Sequence, residues 1–199
     1  MADDHTHVQE FFGARAARWD ARFASDGPRF EAAVAAMALP PGGTVLDAGC
    51  GTGRALPYLR AAVGSTGTVL GADLTREMLD EAALAGRARH ALLVQTDVAR
   101  LPLGAEVLDG VFAAGLIAHL PHPERNLREL ARTVRPGGLL ALFHPIGRAA
   151  LAARQGRHLT EDDLRAEPNL RPLLRSSGWR LLSYADQENH FLALASREA

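Results

Sequence analysis

The nine residues VLDAGCGTG, 45–53, set three glycines at alternate positions directly behind an apolar run that holds one acid. Bare backbone at this spacing lets a strand turn sharply into a helix and lets a ligand approach the main chain closely. The amides at the start of the following helix add partial positive charge. A chain built around such a turn is committed to strand–turn–helix units, and the remaining sequence supplies more of them.

TVLDAG, GTVLGAD, ALLVQTD, VLDGVFAAG and LLALFHP read as apolar strands. They alternate with the helical stretches RALPYLRAAV, TREMLDEAALAGRA and PERNLRELARTV, the spacing of βαβ units in a parallel sheet. Thr75 is expected to cap the second of these helices. In the third, Leu127, Leu130, Ala131 and Val134 share one face, with Pro136-Gly137-Gly138 as the stop. Ahead of the first strand, Val8, Phe12, Ala16, Trp19 and Phe23 recur at helical steps on one apolar face. A second helix is expected over about 30–39, ending at Pro40-Pro41. After Gly147 come an arginine-rich helical stretch, a Thr160-x-x-Asp163 capping box, and a helix carrying Leu170, Leu173 and Leu174 that Gly178 ends. WRLLSYAD and HFLALASR then pair as an antiparallel hairpin through the turn QEN, for seven strands in all.

With 199 residues, no internal repeat and no long linker, the chain suits one domain. A formal net charge of −1 gives no global field toward nucleic acid or an anionic membrane. Every basic side chain apart from histidine is arginine, so no lysine is present to form a Schiff base. The single cysteine, Cys50, permits neither an internal disulfide nor a multi-cysteine metal site. No N-terminal apolar segment reads as a signal peptide and no stretch as a membrane span, so the cytoplasm is the expected location. Residues 5–7, HTH, are expected to be a mobile terminus. The arginines at 148, 154, 157, 165, 171, 175 and 180 interleave with Glu161, Asp162, Asp163 and Glu167, the pattern of a solvated helical surface. Pro121 and Pro123 break the helical facing of His119-x-x-His122, so no metal site is expected.

In a sheet of this class ligands bind beyond the carboxyl ends of the strands, where the glycine turn lies. A dinucleotide fingerprint would need its last glycine at position 54, which is Arg54, with Gly53 one residue early. Asp47 inside the turn would repel a pyrophosphate yet accept from a cationic amino group, which points to an amino-acid-like ligand.

VLDAGCGTG resembles the first motif of class I methyltransferases that use S-adenosylmethionine, and the similarity runs along nearly the whole chain. The resemblance implies a single-domain, Rossmann-like, doubly wound α/β sheet of seven strands in the order 3-2-1-4-5-7-6, the last strand antiparallel. It divides the chain into an N-terminal helical lid (1–40), a cofactor-binding core (41–145), and substrate-side helices with a C-terminal hairpin (146–199). It also implies that Asp47, Ala48, Gly49 and Gly51 hold the methionine part of the cofactor. Asp73 in GADLT would accept from the ribose hydroxyls and Leu74 flank the adenine. In QTDVARLPL, Asp97 would accept from the adenine amino group and Val98 offer its backbone amide. Ala114 and Gly115 would line the cofactor, and Trp19, in a segment similar to the subfamily's lid, would cover it. Where the small-molecule subfamily often has two adjacent histidines and then an acid, this chain has Ala118, His119 and His122. The Asn/Asp-Pro-Pro-aromatic motif of base-directed amino-methyltransferases has no counterpart in AAGLIAH, so nucleic acid is not the expected partner.

The implied reaction passes a methyl group to a small-molecule acceptor and leaves S-adenosylhomocysteine, with the acceptor atom open. Such transfer rests chiefly on positioning, and a base is needed only where the nucleophile must lose a proton. His144 at the end of the fifth strand and His119 just past the fourth are the candidates. A non-catalytic S-adenosylmethionine-binding protein and a nicotinamide-dependent oxidoreductase are the alternatives, and the oligomeric state is open between monomer and homodimer.

Overall fold

The structure, a computed structural model, describes residues 2–22 and 24–199. Its strands are β1 Thr44–Ala48, β2 Thr68–Asp73, β3 Leu92–Gln95, β4 Leu108–Ala114, β5 Val134–His144, β6 Trp179–Gln187 and β7 His190–Arg197. They form one sheet in the order β3-β2-β1-β4-β5-β7-β6. The pairings from β3 across to β5 are parallel, and β7 runs antiparallel to both β5 and β6. β1 is buried along nearly its whole length, as a strand covered on both faces must be.

The helices are α1 Ala2–Gly13, α2 Ala16–Arg22, α3 Gly27–Ala35, α4 Leu56–Val63, α5 Arg76–Leu84, α6 Pro123–Thr133, α7 Arg148–Arg154 and α8 Glu167–Ser176. Successive strand residues point to opposite faces, so Val45 joins one core with Phe30, Val34, Leu56, Leu59 and Phe143 from the α3–α4 side. Leu46 joins the other, with Leu127, Leu130, Leu170, Leu174 and Trp179 from the α6–α8 side. Trp179 is fully buried and its indole N–H donates to the Leu127 carbonyl at 2.9 Å, which ties β6 to α6. The chain leaves β1 toward β2 and β3, then crosses back to β4. The crevice between β1 and β4 is therefore the switch point at which this architecture binds ligands.

Several local expectations are corrected. The apolar face through Val8 and Trp19 belongs to two helices, broken at Ala14 and Arg15, and Phe23 lies outside the described residues. α3 starts at Gly27, with Pro28 in its first turn where no amide donor is needed. Pro136-Gly137-Gly138 is not a helix stop: α6 ends at Thr133, Val134 already pairs with Leu108, and the three residues form an irregular stretch within β5. No helix starts at Thr160, so the capping box does not form, and α8 begins at Glu167. Thr75 stands at the N-cap of α5 without a side-chain capping bond. Residues 5–7 are helical, within α1.

Replacing Trp179 with Phe removes the indole bond to the Leu127 carbonyl and leaves a gap beside α6. We expect a loss of about 1–3 kcal/mol, read as a lower urea midpoint with an unchanged denaturant slope.

Candidate functional site

The carboxyl ends of the central strands open into a cavity of about 1690 Å³, walled by α1, α2, the glycine turn and the segment around 145–165. Gly49, Gly51 and Gly53 have φ of +68, +53 and +78°, a region closed to most side chains. The turn is tied down twice. The Gly49 and Cys50 amides both donate to the Ala72 carbonyl, at 2.8 and 3.0 Å. The Gly51 amide donates to Asp73 Oδ2 at 2.8 Å, while Asp73 Oδ1 accepts from the Thr75 amide at 2.8 Å. Burial raises the Asp73 pKa, opposed by those same amides.

Asp47 lies deepest. It is 1% exposed, and among the described residues neither carboxylate oxygen has a hydrogen-bond partner. Burial first, and the charge of Asp73 second, push its pKa up to about 8. An unpaired acid in such a place keeps its proton until a cation arrives.

Asp97 accepts from the Ala99 amide at 2.8 Å, and His5 Nε2 stands 3.4 Å from its other oxygen. Leu74, Val98, Ala114 and Gly115 line the same cavity. Ala48 does not. It is fully buried in the α6-side core, because its side chain points to the opposite face from that of Asp47.

α1 and α2 close the cavity through specific contacts. Gln9 donates to the Leu74 carbonyl at 3.0 Å. On α2, Asp20 accepts from the Thr52 hydroxyl at 2.6 Å and from Arg87 at 2.5 Å. Trp19 meets Phe12 edge to face at 5.6 Å, and Phe12 in turn meets His119 at 5.0 Å. Thr52 sits inside the glycine motif, but nothing in the sequence joins it to Asp20 or Arg87.

His119, in a short 3-10 turn after β4, and His144, at the end of β5, both face the cavity. Burial lowers the pKa of each. The charge of Arg165 lowers both further, while for His144 the Ile146 carbonyl opposes the shift. His144 Nδ1 is 2.8 Å from that carbonyl and 3.2 Å from the Ile146 amide. A ring proton on Nδ1 would serve the carbonyl contact and leave Nε2 with its lone pair, while the other tautomer would accept from the amide. Both rings are thereby neutral proton acceptors near neutral pH.

Sequence reading missed a second wall. Asp26 is 5% exposed and sits between Arg29 at 2.8 Å and Arg54 at 3.5 Å, with the Arg54 guanidinium 4.9 Å over the Phe30 ring. Asp163 and Arg165 line the same cavity. Arg148 and Arg165, expected on a solvated surface, have side chains only 11% and 14% exposed, because both close on Asp163.

Residues 46–142 match the family model described as a methyltransferase domain. A demethylmenaquinone methyltransferase of Desulfitobacterium hafniense is 31% identical over 147 residues, covering 69% of this chain and 58% of that protein. The chain spans about half the length of the curated relatives it matches. Among solved structures, the complex between the Haloferax volcanii Trm112 methyltransferase activator and a putative methyltransferase gives a TM-score of 0.80 at 21% identity, covering 96% of this chain and 98% of that one. A magnesium protoporphyrin IX methyltransferase from Synechocystis PCC 6803 with bound SAH gives 0.74 at 18% identity, covering 98% and 100%. At these identities the likeness is one of fold.

Two outcomes follow from the geometry. Asp47 carries a raised pKa in the folded chain, so above about pH 4 the unfolded chain releases a proton that the folded chain retains. Stability should therefore fall as pH rises from about 4 to about 8, then level off. Asp47→Asn should melt at higher temperature than the parent at pH 8, with the gap closing toward pH 4. Asp20→Ala should release the Thr52 and Arg87 contacts and speed amide hydrogen exchange in residues 2–22 by roughly 5- to 100-fold, leaving the sheet unchanged.

Proposed function

We propose that the chain is a class I S-adenosylmethionine-dependent methyltransferase, a reading supported by its match to a methyltransferase domain and to a methyltransferase relative, and that it binds S-adenosylmethionine on the cavity floor and methylates a small-molecule acceptor held beneath α1, α2 and residues 145–175. The observation that carries this reading is Asp47: a buried carboxyl without a partner, beside a glycine turn, fits a ligand bearing an ammonium group. A pyrophosphate at the same place would meet two acids, the buried Asp47 and the half-buried Asp73.

In this reading Asp47 takes the ammonium group, and Gly49 and Gly51 leave room for the methionine chain. Asp73 keeps lone pairs for the ribose hydroxyls while it holds the Gly51 amide, since a carboxylate accepts up to about four bonds. Asp97 and the Val98 amide meet the adenine edge, Leu74 flanks the ring, Ala114 and Gly115 line the ligand, and Trp19 covers it. Ala48 supports the turn from the core without touching the ligand. When bound, the cofactor supplies a methyl group already activated on a sulfonium. The protein aligns the acceptor with it and excludes water, and either His144 Nε2 or His119 takes the acceptor's proton where one must leave. A cavity of about 1690 Å³ exceeds the roughly 300–1,000 Å³ of a single small-ligand pocket, which leaves space for the acceptor.

The division into lid (1–40), core (41–145) and substrate side (146–199) of one domain belongs to the same reading. So does a cytoplasmic location, supported by the single buried cysteine; among the described residues no helix is long and apolar enough to cross a membrane.

Titration calorimetry tests the proposal. S-adenosylmethionine and S-adenosylhomocysteine should bind in the micromolar range and NAD should not. At pH 7 binding should release close to one proton, about the charge that Asp47 gains on pairing, and Asp47→Asn should abolish both the binding and the release. NAD binding without adenosyl-ligand binding would overturn the reading. Binding with no S-adenosylhomocysteine formed from any acceptor pool would favour a non-catalytic binding protein.

A further inference from the structure

The wall facing the two histidines is built around Arg165. Its Nε and Nη2 stand 3.2 Å from Asp163 Oδ1 and Oδ2 respectively. Asp163 is itself fixed by the Arg165 amide at 2.8 Å and by Arg148 Nε at 3.1 Å. Tyr184 donates its hydroxyl to the Arg165 carbonyl at 2.8 Å, and the Asn169 side chain donates to the Asp163 carbonyl at 3.0 Å. The guanidinium is thus held from its back edge by backbone and side chain together. A guanidinium has five N–H donors, and two of them face Asp163. Among the described residues no hydrogen bond engages Nη1.

Arg165 also borders the reaction space. Arg165 lines the cavity with His119 and His144, and its charge is felt at both rings. Burying a guanidinium costs several kcal/mol of desolvation, a cost a solvated arginine would not carry. Asp163, the carboxylate beside Arg165, is already held by Arg148 and Arg165. A planar two-oxygen anion would match one guanidinium edge.

We propose that the Nη1–Nη2 end of Arg165, braced by Asp163, is the anchor for a carboxylate on the methyl acceptor. The proposal rests on the reading of the cavity floor as the cofactor site, because the acceptor must lie beside it. Arg165 thereby sets which acceptors enter, and the two histidines stand where the anchored molecule's nucleophile is presented.

The test uses the full chain, both ligand-free and saturated with S-adenosylhomocysteine, titrated with 3-phenylpropionate, 3-phenylpropionamide and phenyl phosphate. The carboxylate should bind at least about tenfold tighter than the amide, and Arg165→Gln should bring that ratio to about one. S-adenosylhomocysteine affinity, measured first, reports that the variant is folded. If the parent chain fails to bind S-adenosylhomocysteine, the cofactor reading falls, while the ligand-free titrations still judge the anchor. On the unsubstituted protein, NMR titration of the histidine rings gives a second readout. The carboxylate should raise the pKa of both His119 and His144 by offsetting the Arg165 charge, and the amide should move neither. A ratio near one in the parent chain, a ratio that survives Arg165→Gln, or a tenfold preference for the phosphate would overturn the assignment.

Discussion

Asp47 is a carboxyl group buried on the central strand, and among the described residues no hydrogen bond offsets the cost of charging it. The surrounding architecture follows from that one placement. The glycine turn must pass close over it, so its backbone takes conformations that side chains resist. Asp73, on the neighbouring strand, faces the same space and makes ionisation of Asp47 harder still. Asp73 in turn holds the Gly51 amide, so the acid that raises the cost also fixes the loop. An arrangement that is unfavourable alone and favourable with a cation present is a pre-formed site, and stability has been given up to keep it open.

The order of elements was legible because it is written in local patterns. Apolar strands ending in glycine or an acid, followed by helices with an apolar stripe, set the parallel half of the sheet, and Gly178 with the QEN turn marked the C-terminal hairpin. Errors arose where a distant partner overrules a local rule. Thr160-x-x-Asp163 has the spacing of a capping box, but Asp163 is claimed by Arg148 and Arg165, so no helix starts there. Pro136-Gly137-Gly138 has the composition of a stop, yet Val134 is already paired with Leu108.

The candidate site divides along the same line. Residues at or near strand ends, among them Asp47, Asp73, Asp97, Ala114 and Gly115, reach the cavity because the fold opens it at the carboxyl ends of the strands. Ala48 shows the opposite: strand alternation places it in the core beside a neighbour that faces the cavity, and that reading was available from a period of two. The Thr52–Asp20–Arg87 cluster and the contact of Arg148 with Asp163 were not legible, since each joins segments that no repeat or motif connects.

The break between α1 and α2 matters for how the N-terminal segment opens. Gln9, Asp20 and Phe12 each fasten the N-terminal segment to a different part of the rim. A segment held at three points keeps its place when any one of them lets go, so its local opening should be more cooperative than the fraying of a free end.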